Sequence, residues 1–182
     1  LDEIYLAPIK PRWYRLSGDQ VEIYIPRIRK HTPEARMVVA LADAYRGEAE
    51  PWADNYQHWT ECCLKNIEIC QQQNLTPIYD MMNEPEGFLE KSGRKTPEEI
   101  DEFWQEFYKL YLVTYKLVRE HHPEAQITAP GYGYPVMTVE DFYRRLGEFI
   151  DFCREHDAMP DYMNYHFPFD QIENHIAFMK EK

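Results

Sequence analysis

Residues 77–129 read PIYDMMNEPEGFLEKSGRKTPEEIDEFWQEFYKLYLVTYKLVREHHPEAQITA. The stretch opens on a short apolar run, PIYDMM (77–82), and closes on another, QITA (126–129), each of strand-like length and composition. Between them a helix start is readable. Thr96, Pro97, Glu98 and Glu99 form a capping box, with proline at the first helical position, where its missing N–H costs nothing. From Ile100 onward, Phe103, Trp104, Phe107, Leu110, Tyr111, Thr114 and Leu117 recur at spacings of three and four, which predicts one apolar helix face ending near Pro123. Strand, long helix, strand is the pattern of a parallel crossover unit.

The same alternation extends outward from this unit. Upstream, MVVAL (37–41) reads as a buried strand, and a helix is expected over 55–73 with Trp59, Cys62, Cys63, Ile67 and Cys70 inward. Downstream, Thr138 to Asp141 repeats the cap with aspartate in the reciprocal place, a helix follows over 139–156, YMNY (162–165) reads as strand, and a last helix begins near Asp170. The opening third is less regular. Residues 4–9 and 13–16 have strand character, whereas 21–28 has strand-like residues interrupted by Pro26. The reading places one strand at 11–16, followed by an irregular or short helical stretch. No repeat, low-complexity tract or linker divides the chain, so residues 1–182 form one domain. The expected class is α/β, a parallel sheet covered by helices.

Two architectures accept the pattern. A doubly wound open parallel sheet of about five strands fits 182 residues comfortably, while a (β/α)8 TIM barrel typically needs ~250. Length alone prefers the open sheet.

Lys and Arg number 20 against 32 Asp and Glu, a formal charge of −12. That balance argues against a nucleic-acid backbone or an anionic membrane surface as the main partner, since both recruit a positive face. No apolar stretch approaches the ~20 residues that span a bilayer, and mean hydropathy is −0.67. No leader is readable after Leu1, and the absence of an initiating methionine suggests that the native N-terminus is absent; compartment and oligomeric state stay open. Four cysteines at 62, 63, 70 and 153 fit neither a disulfide framework nor a zinc spacing and read as ordinary thiols, so no metal site is expected.

In either parallel architecture the ligand meets the carboxyl ends of the strands. The residues just past each run are polar and aromatic: Arg15, Asp43 and Tyr45, Asn83 and Glu84, Tyr132 and Tyr134, and His166, with Trp52 in the loop beyond Tyr45. Aromatic faces stack on the C–H faces of a sugar, and bidentate polar groups take its hydroxyls, so carbohydrate is the partner this set fits. Glu84 is the sharpest element. It leaves an apolar strand directly and is followed by Pro85, so a carboxyl partly shielded by aromatics could serve there as general acid, with Asn83 beside it to hold a hydroxyl. The structural alternative is that the pair merely turns the chain near a helix N-terminus. Trp52 reads equally as a lid packing residue or a stacking platform. His121 and His122 read as helix C-terminal groups, His58 as solvated, Trp104 as core, and Glu98 to Glu102 as a solvated helix start.

The segment YDMMNEPEGF (79–88) resembles the Asn-Glu-Pro segment that ends the fourth barrel strand of clan A retaining glycoside hydrolases. The run through EHHP (120–123) into AQITAPG (125–131) resembles that family's fifth strand and its preceding turn, and residues 149–156 with PDYMNYHF (160–167) resemble the helix and sixth strand of glycoside hydrolase family 39. The resemblance covers about residues 36–169. It implies a (β/α)8 TIM barrel, incomplete in this chain at about strands 2 to 6, that hydrolyses O-glycosides with retention and uses Glu84 as acid/base. Arg15 would match an arginine facing the sugar, and Asn83, Tyr132, His166 and Trp52 would line the substrate site. The substrate would be a plant or host glycan, with β-xylosides and α-L-iduronides the classes the family suggests, and the chemistry requires no cofactor.

Retention needs two carboxyls about 5–5.5 Å apart, and the family's nucleophile lies on the seventh strand, which has no counterpart here. The 182 residues alone are therefore expected to be inactive. A carbohydrate-binding barrel without turnover is the competing class. An unrelated doubly wound receptor is a third, but Gly131-Tyr132-Gly133 lacks the third glycine and following helix of a nucleotide loop.

Overall fold

The computed structural model describes residues 10–41, 51–82, 84–132, 138–164 and 172–181. In chain order these form β1 (Trp13–Ser17), a 3₁₀ turn (Gly18–Gln20) running into α1 (Val21–His31), β2 (Arg36–Ala40), α2 (Gln57–Gln72), β3 (Ile78–Asp80), α3 (Glu86–Ser92), α4 (Pro97–His121), β4 (Gln126–Ile127), α5 (Val139–Glu155) and α6 (Ile172–Glu181). The four strands make one parallel sheet in the order β1-β2-β3-β4. Thr128, just past β4, makes an isolated parallel bridge to Tyr162, so a fifth segment begins on the far edge. This is an α/β fold in which spatial order follows chain order. Among the described strands there is no reversal of the kind that creates the ligand crevice of a doubly wound sheet.

Side-chain alternation divides the sheet into two unlike faces. Leu16, Met37, Val39, Tyr79 and Ile127 are all buried and join one cluster with Ile25 and Ile28 of α1, Trp59, Cys63 and Ile67 of α2, Phe103, Trp104 and Phe107 of α4, and Phe149 of α5. The opposite face carries Trp13 and Arg15, Arg36 and Val38, Ile78 and Asp80, and Gln126 and Thr128, aligned by the strand registers. That face is laced by polar contacts across strands. Arg36 lies over the Trp13 ring and donates through Nη2 to Gln126 Oε1 (2.8 Å), which also accepts from the Tyr162 hydroxyl (3.2 Å).

The caps read from the sequence form as expected. Thr96 Oγ1 accepts from the Glu99 N–H (3.2 Å) while Glu99 Oε2 accepts from the Thr96 N–H (3.0 Å), and Thr138 Oγ1 accepts from the Asp141 N–H (3.1 Å). Burial of Phe103, Trp104, Phe107, Leu110, Tyr111 and Thr114 follows the stripe, and in the last turn Val118 is buried while Leu117 is only half-buried.

The opening third departs from expectation. Residues 21–31 are a full helix with Pro26 inside it. Val21, Ile25 and Ile28 are buried at spacings of four and three, so helical periodicity prevails over the β-preference of the residue types. Proline costs α1 one hydrogen bond to the carbonyl of Glu22, but both residues are exposed and water can take that carbonyl. Residues 4–9 lie outside the described residues. Gly18 has a steric reason to be glycine: a Cβ there would overlap the side-chain amide of Asn66, which donates to the Leu41 carbonyl (2.9 Å) and ties α2 to the end of β2. No helix among the described residues is long and apolar enough to cross a membrane.

Candidate functional site at the strand carboxyl ends

Glu84 sits four residues beyond the end of β3, exposed, with φ at 51°. Pro85 disfavours the right-handed helical region for the residue before it, and Glu84 occupies the left-handed region, a conformation that costs a non-glycine residue free energy. Hydrogen bonds hold it there. The Glu84 N–H donates to the Gly131 carbonyl (2.7 Å), the Gly131 N–H donates to the Met82 carbonyl (2.8 Å), and the Gly87 N–H donates to the Glu84 carbonyl (3.0 Å). The ends of the third and fourth strands are thus stitched together at Glu84, and the chain turns at once into α3. A turn near a helix N-terminus is the structural alternative that the sequence offered for this segment, and α3 begins two residues after Glu84. Glu84 is exposed, so among the described residues it does not have the aromatic shielding expected for it.

Arg15 belongs to an ion pair spanning the open face. Its Nε and Nη2 both donate to Asp80 Oδ2, at 3.1 and 2.9 Å, and Asn164 Nδ2 donates to Asp80 Oδ1 (3.3 Å). The Asp80 side chain is 2% exposed and that of Arg15 48%. Neither Asp80 nor Asn164 was among the expected site residues. The signal was present, since a charged residue inside the apolar run PIYDMM must find a partner if that strand is buried.

Tyr132 departs from its expected role. It is fully buried, packed against Trp104, Phe142 and Phe149 at ring-centroid distances of 5.8, 6.0 and 6.3 Å. It fills the helix side of the sheet rather than a sugar site, because the regular ladder lapses after Thr128 and resumes at Gly131 out of step with the alternation of β4, so that the ring joins the aromatic layer between α4 and α5. Its hydroxyl has no hydrogen-bond partner among the described residues, and burial pushes its pKa well above the usual phenolic value, with the neighbouring Tyr108 and Glu86 adding to the shift. Trp52 is half-buried and edge-on to Phe103 (5.1 Å), in the packing arrangement rather than the stacking one. Asn83 and His166, together with Asp43, Tyr45 and Tyr134, lie outside the described residues. Of the expected set, then, Arg15 lies on the open face, Glu84 lies exposed beyond β3, and Tyr132 and Trp52 are core or core-edge residues.

His122, Cys70 and Cys153 are buried in the core. His122 is buried at the end of α4, where Nδ1 meets the Tyr79 hydroxyl (2.9 Å) and Nε2 lies 3.6 Å from Glu124. Burial lowers its pKa, partly opposed by Glu124. Desolvation pushes Cys70 up to about 11 and Cys153 up to about 12, which makes both poor nucleophiles. On the helix side a cleft of about 490 Å³ between α3, α4 and α5 has Trp104 and Ile100 on its walls. Its charges are matched to one another: Arg145 pairs with Asp101 and Glu148, and Arg144 with Asp141. No group of three His, Cys, Asp or Glu among the described residues is arranged to hold a metal ion.

No family model matches the chain, and no curated protein sequence does. A solved structure does match, described as that of N2152 from Neocallimastix frontalis. It is 19% identical, with a TM-score of 0.74, over 98% of this chain and 43% of that one. At this identity the likeness concerns the fold. The chain spans 43% of the length of the structure it matches.

Proposed function

We propose that the protein is a retaining O-glycoside hydrolase similar to family 39, that the chain supplies about strands 2 to 6 of a (β/α)8 barrel, and that Glu84 is the general acid/base. The observation that carries the reading is Glu84 itself: a solvent-facing carboxyl at the carboxyl end of a parallel strand, with its backbone pinned to the end of the next strand. In that position the acid protonates the leaving oxygen and then, as the carboxylate, draws a proton from the attacking water. The strand order supports the barrel part of the reading, because a barrel wall winds in one direction without reversal. An arginine on the open face supports the sugar part, since its N–H donors suit hydroxyl oxygens.

Replacing Glu84 by Gln in the complete protein tests the assignment. Substrates with poor leaving groups should slow by ~10² or more, activated aryl glycosides far less, and added azide should rescue the latter by attacking the glycosyl intermediate. Equal slowing on both without rescue would remove the acid/base role. Glycoside binding with no turnover by the unaltered protein would replace the hydrolase reading with a binding one.

A further inference from the structure

We propose that Asp80 is a positioning residue: it holds the Arg15 guanidinium across the open face toward the strand that leads to Glu84, so that Arg15 meets an oxygen-rich ring in a fixed orientation. The inference rests on the glycosidase reading for the ligand, but not for the Asp80–Arg15 link.

A carboxylate withdrawn from water persists only where it is paired and hydrogen-bonded, and Asp80 is gripped on both oxygens from opposite edges of the sheet. Arg15 takes Oδ2 from β1, and Asn164 takes Oδ1 from the segment beyond β4. The registers show how Arg15 reaches that far. Ser17 and Ala40 share a row with Asp80, while Arg15 shares the row below with Val38 and Ile78. The intervening residue in the Asp80 row is therefore an alanine, and the arginine can lie over β2 to meet a strand two positions away. Contact through Nε as well as Nη2 fixes the plane of the guanidinium, which one donor could not do. About half of the Arg15 side chain still faces solvent on the open side. Asp80 itself is too deeply buried to touch a ligand; it acts through Arg15.

Two measurements test this on the complete protein. The first follows the Arg15 Nε–H resonance in 15N-labelled material. Asp80→Asn should shift it and speed its exchange with water, and an unchanged resonance overturns the proposal. The second uses p-nitrophenyl β-D-xylopyranoside. Asp80→Asn and Arg15→Ala should each lower kcat/KM by ~10²-fold, the scale of a misplaced positioning group. The double variant should lose no more than either single, and Asp80→Glu should recover part of the loss. Losses that multiply instead, or a loss confined to thermal stability, overturn the proposal. Arg15→Lys keeps a cation beside Asp80 and so guards against misfolding; it should be as impaired as Arg15→Ala. If the unaltered protein cleaves no aryl glycoside, the hydrolase reading fails and the resonance decides alone whether Asp80 holds Arg15.

Discussion

Tyr132 shows how an aromatic residue can be drawn into the core while its hydroxyl finds no bond among the described residues. Its ring fills the space between Trp104, Phe142 and Phe149, and its hydroxyl lacks a partner among the described residues. A buried unsatisfied hydroxyl costs about 1–3 kcal/mol, and removing it while keeping the ring removes that cost. Tyr132→Phe should therefore raise unfolding stability, by up to about 1–3 kcal/mol, in a urea titration. A fall in stability would mean that the hydroxyl has a partner. The same residue marks a limit of sequence reading. Register along a strand shows which face a side chain takes, but pairing past β4 does not continue regularly, so alternation stopped being a guide at Gly131. Arg15, expected just past the first strand, lies in the middle of β1, where the register fixes its face. The place of Glu84 beyond β3 was legible from the apolar run before it and Pro85 after it, although its left-handed backbone was not.

At the scale of elements, α4 was the most legible part of the molecule, since its cap, its stripe and its stop are all local features. The expected helix over 55–73 appears as Gln57–Gln72 and that over 139–156 as Val139–Glu155, differences at the frayed ends only. The opening third was less legible because composition and periodicity disagreed there, and the tertiary cluster around Ile25 and Ile28 decided for helix. The short α3 has no N-terminal cap that a sequence pattern would reveal, since Pro85 stands at its N-cap without a side-chain bond; only its end carries a signal, Gly93 in the left-handed conformation. The strength of the α4 cap can be measured. Thr96→Ala removes the acceptor for the Glu99 N–H and should cost about 1 kcal/mol, read as a lower denaturation midpoint with unchanged slope. Because Thr96 lies at the start of the helix that supports β3 and β4, a change in slope would instead signal that α4 unfolds apart from the sheet.

For the molecule as a whole, acid should act first through two buried imidazoles, and the sign follows from their surroundings. His122 and His175 are both nearly inaccessible, and burial lowers the pKa of each below the unfolded value near 6.5. Between the folded and unfolded values the unfolded chain binds more protons, so unfolding free energy rises with pH in that window. Their contribution is complete above about 6.5 and is lost as pH falls below it. The lowered carboxyls Asp141 and Glu99, held down by Thr138 and Arg144 and by backbone N–H groups respectively, act only further down, below the ordinary carboxyl range. A formal charge of −12 complicates the absolute curve, because acidification also relieves self-repulsion. The difference between two proteins cancels that contribution. His122→Gln keeps an acceptor for the Tyr79 hydroxyl but binds no proton, so its stability relative to the unaltered protein should improve as pH falls below about 6.5. The slope of the difference should be at most about 1.4 kcal/mol per pH unit, the limit for one proton. A difference that does not change with pH would mean that His122 titrates alike in the folded and unfolded chain, and the acid sensitivity would then have to come from elsewhere in the molecule.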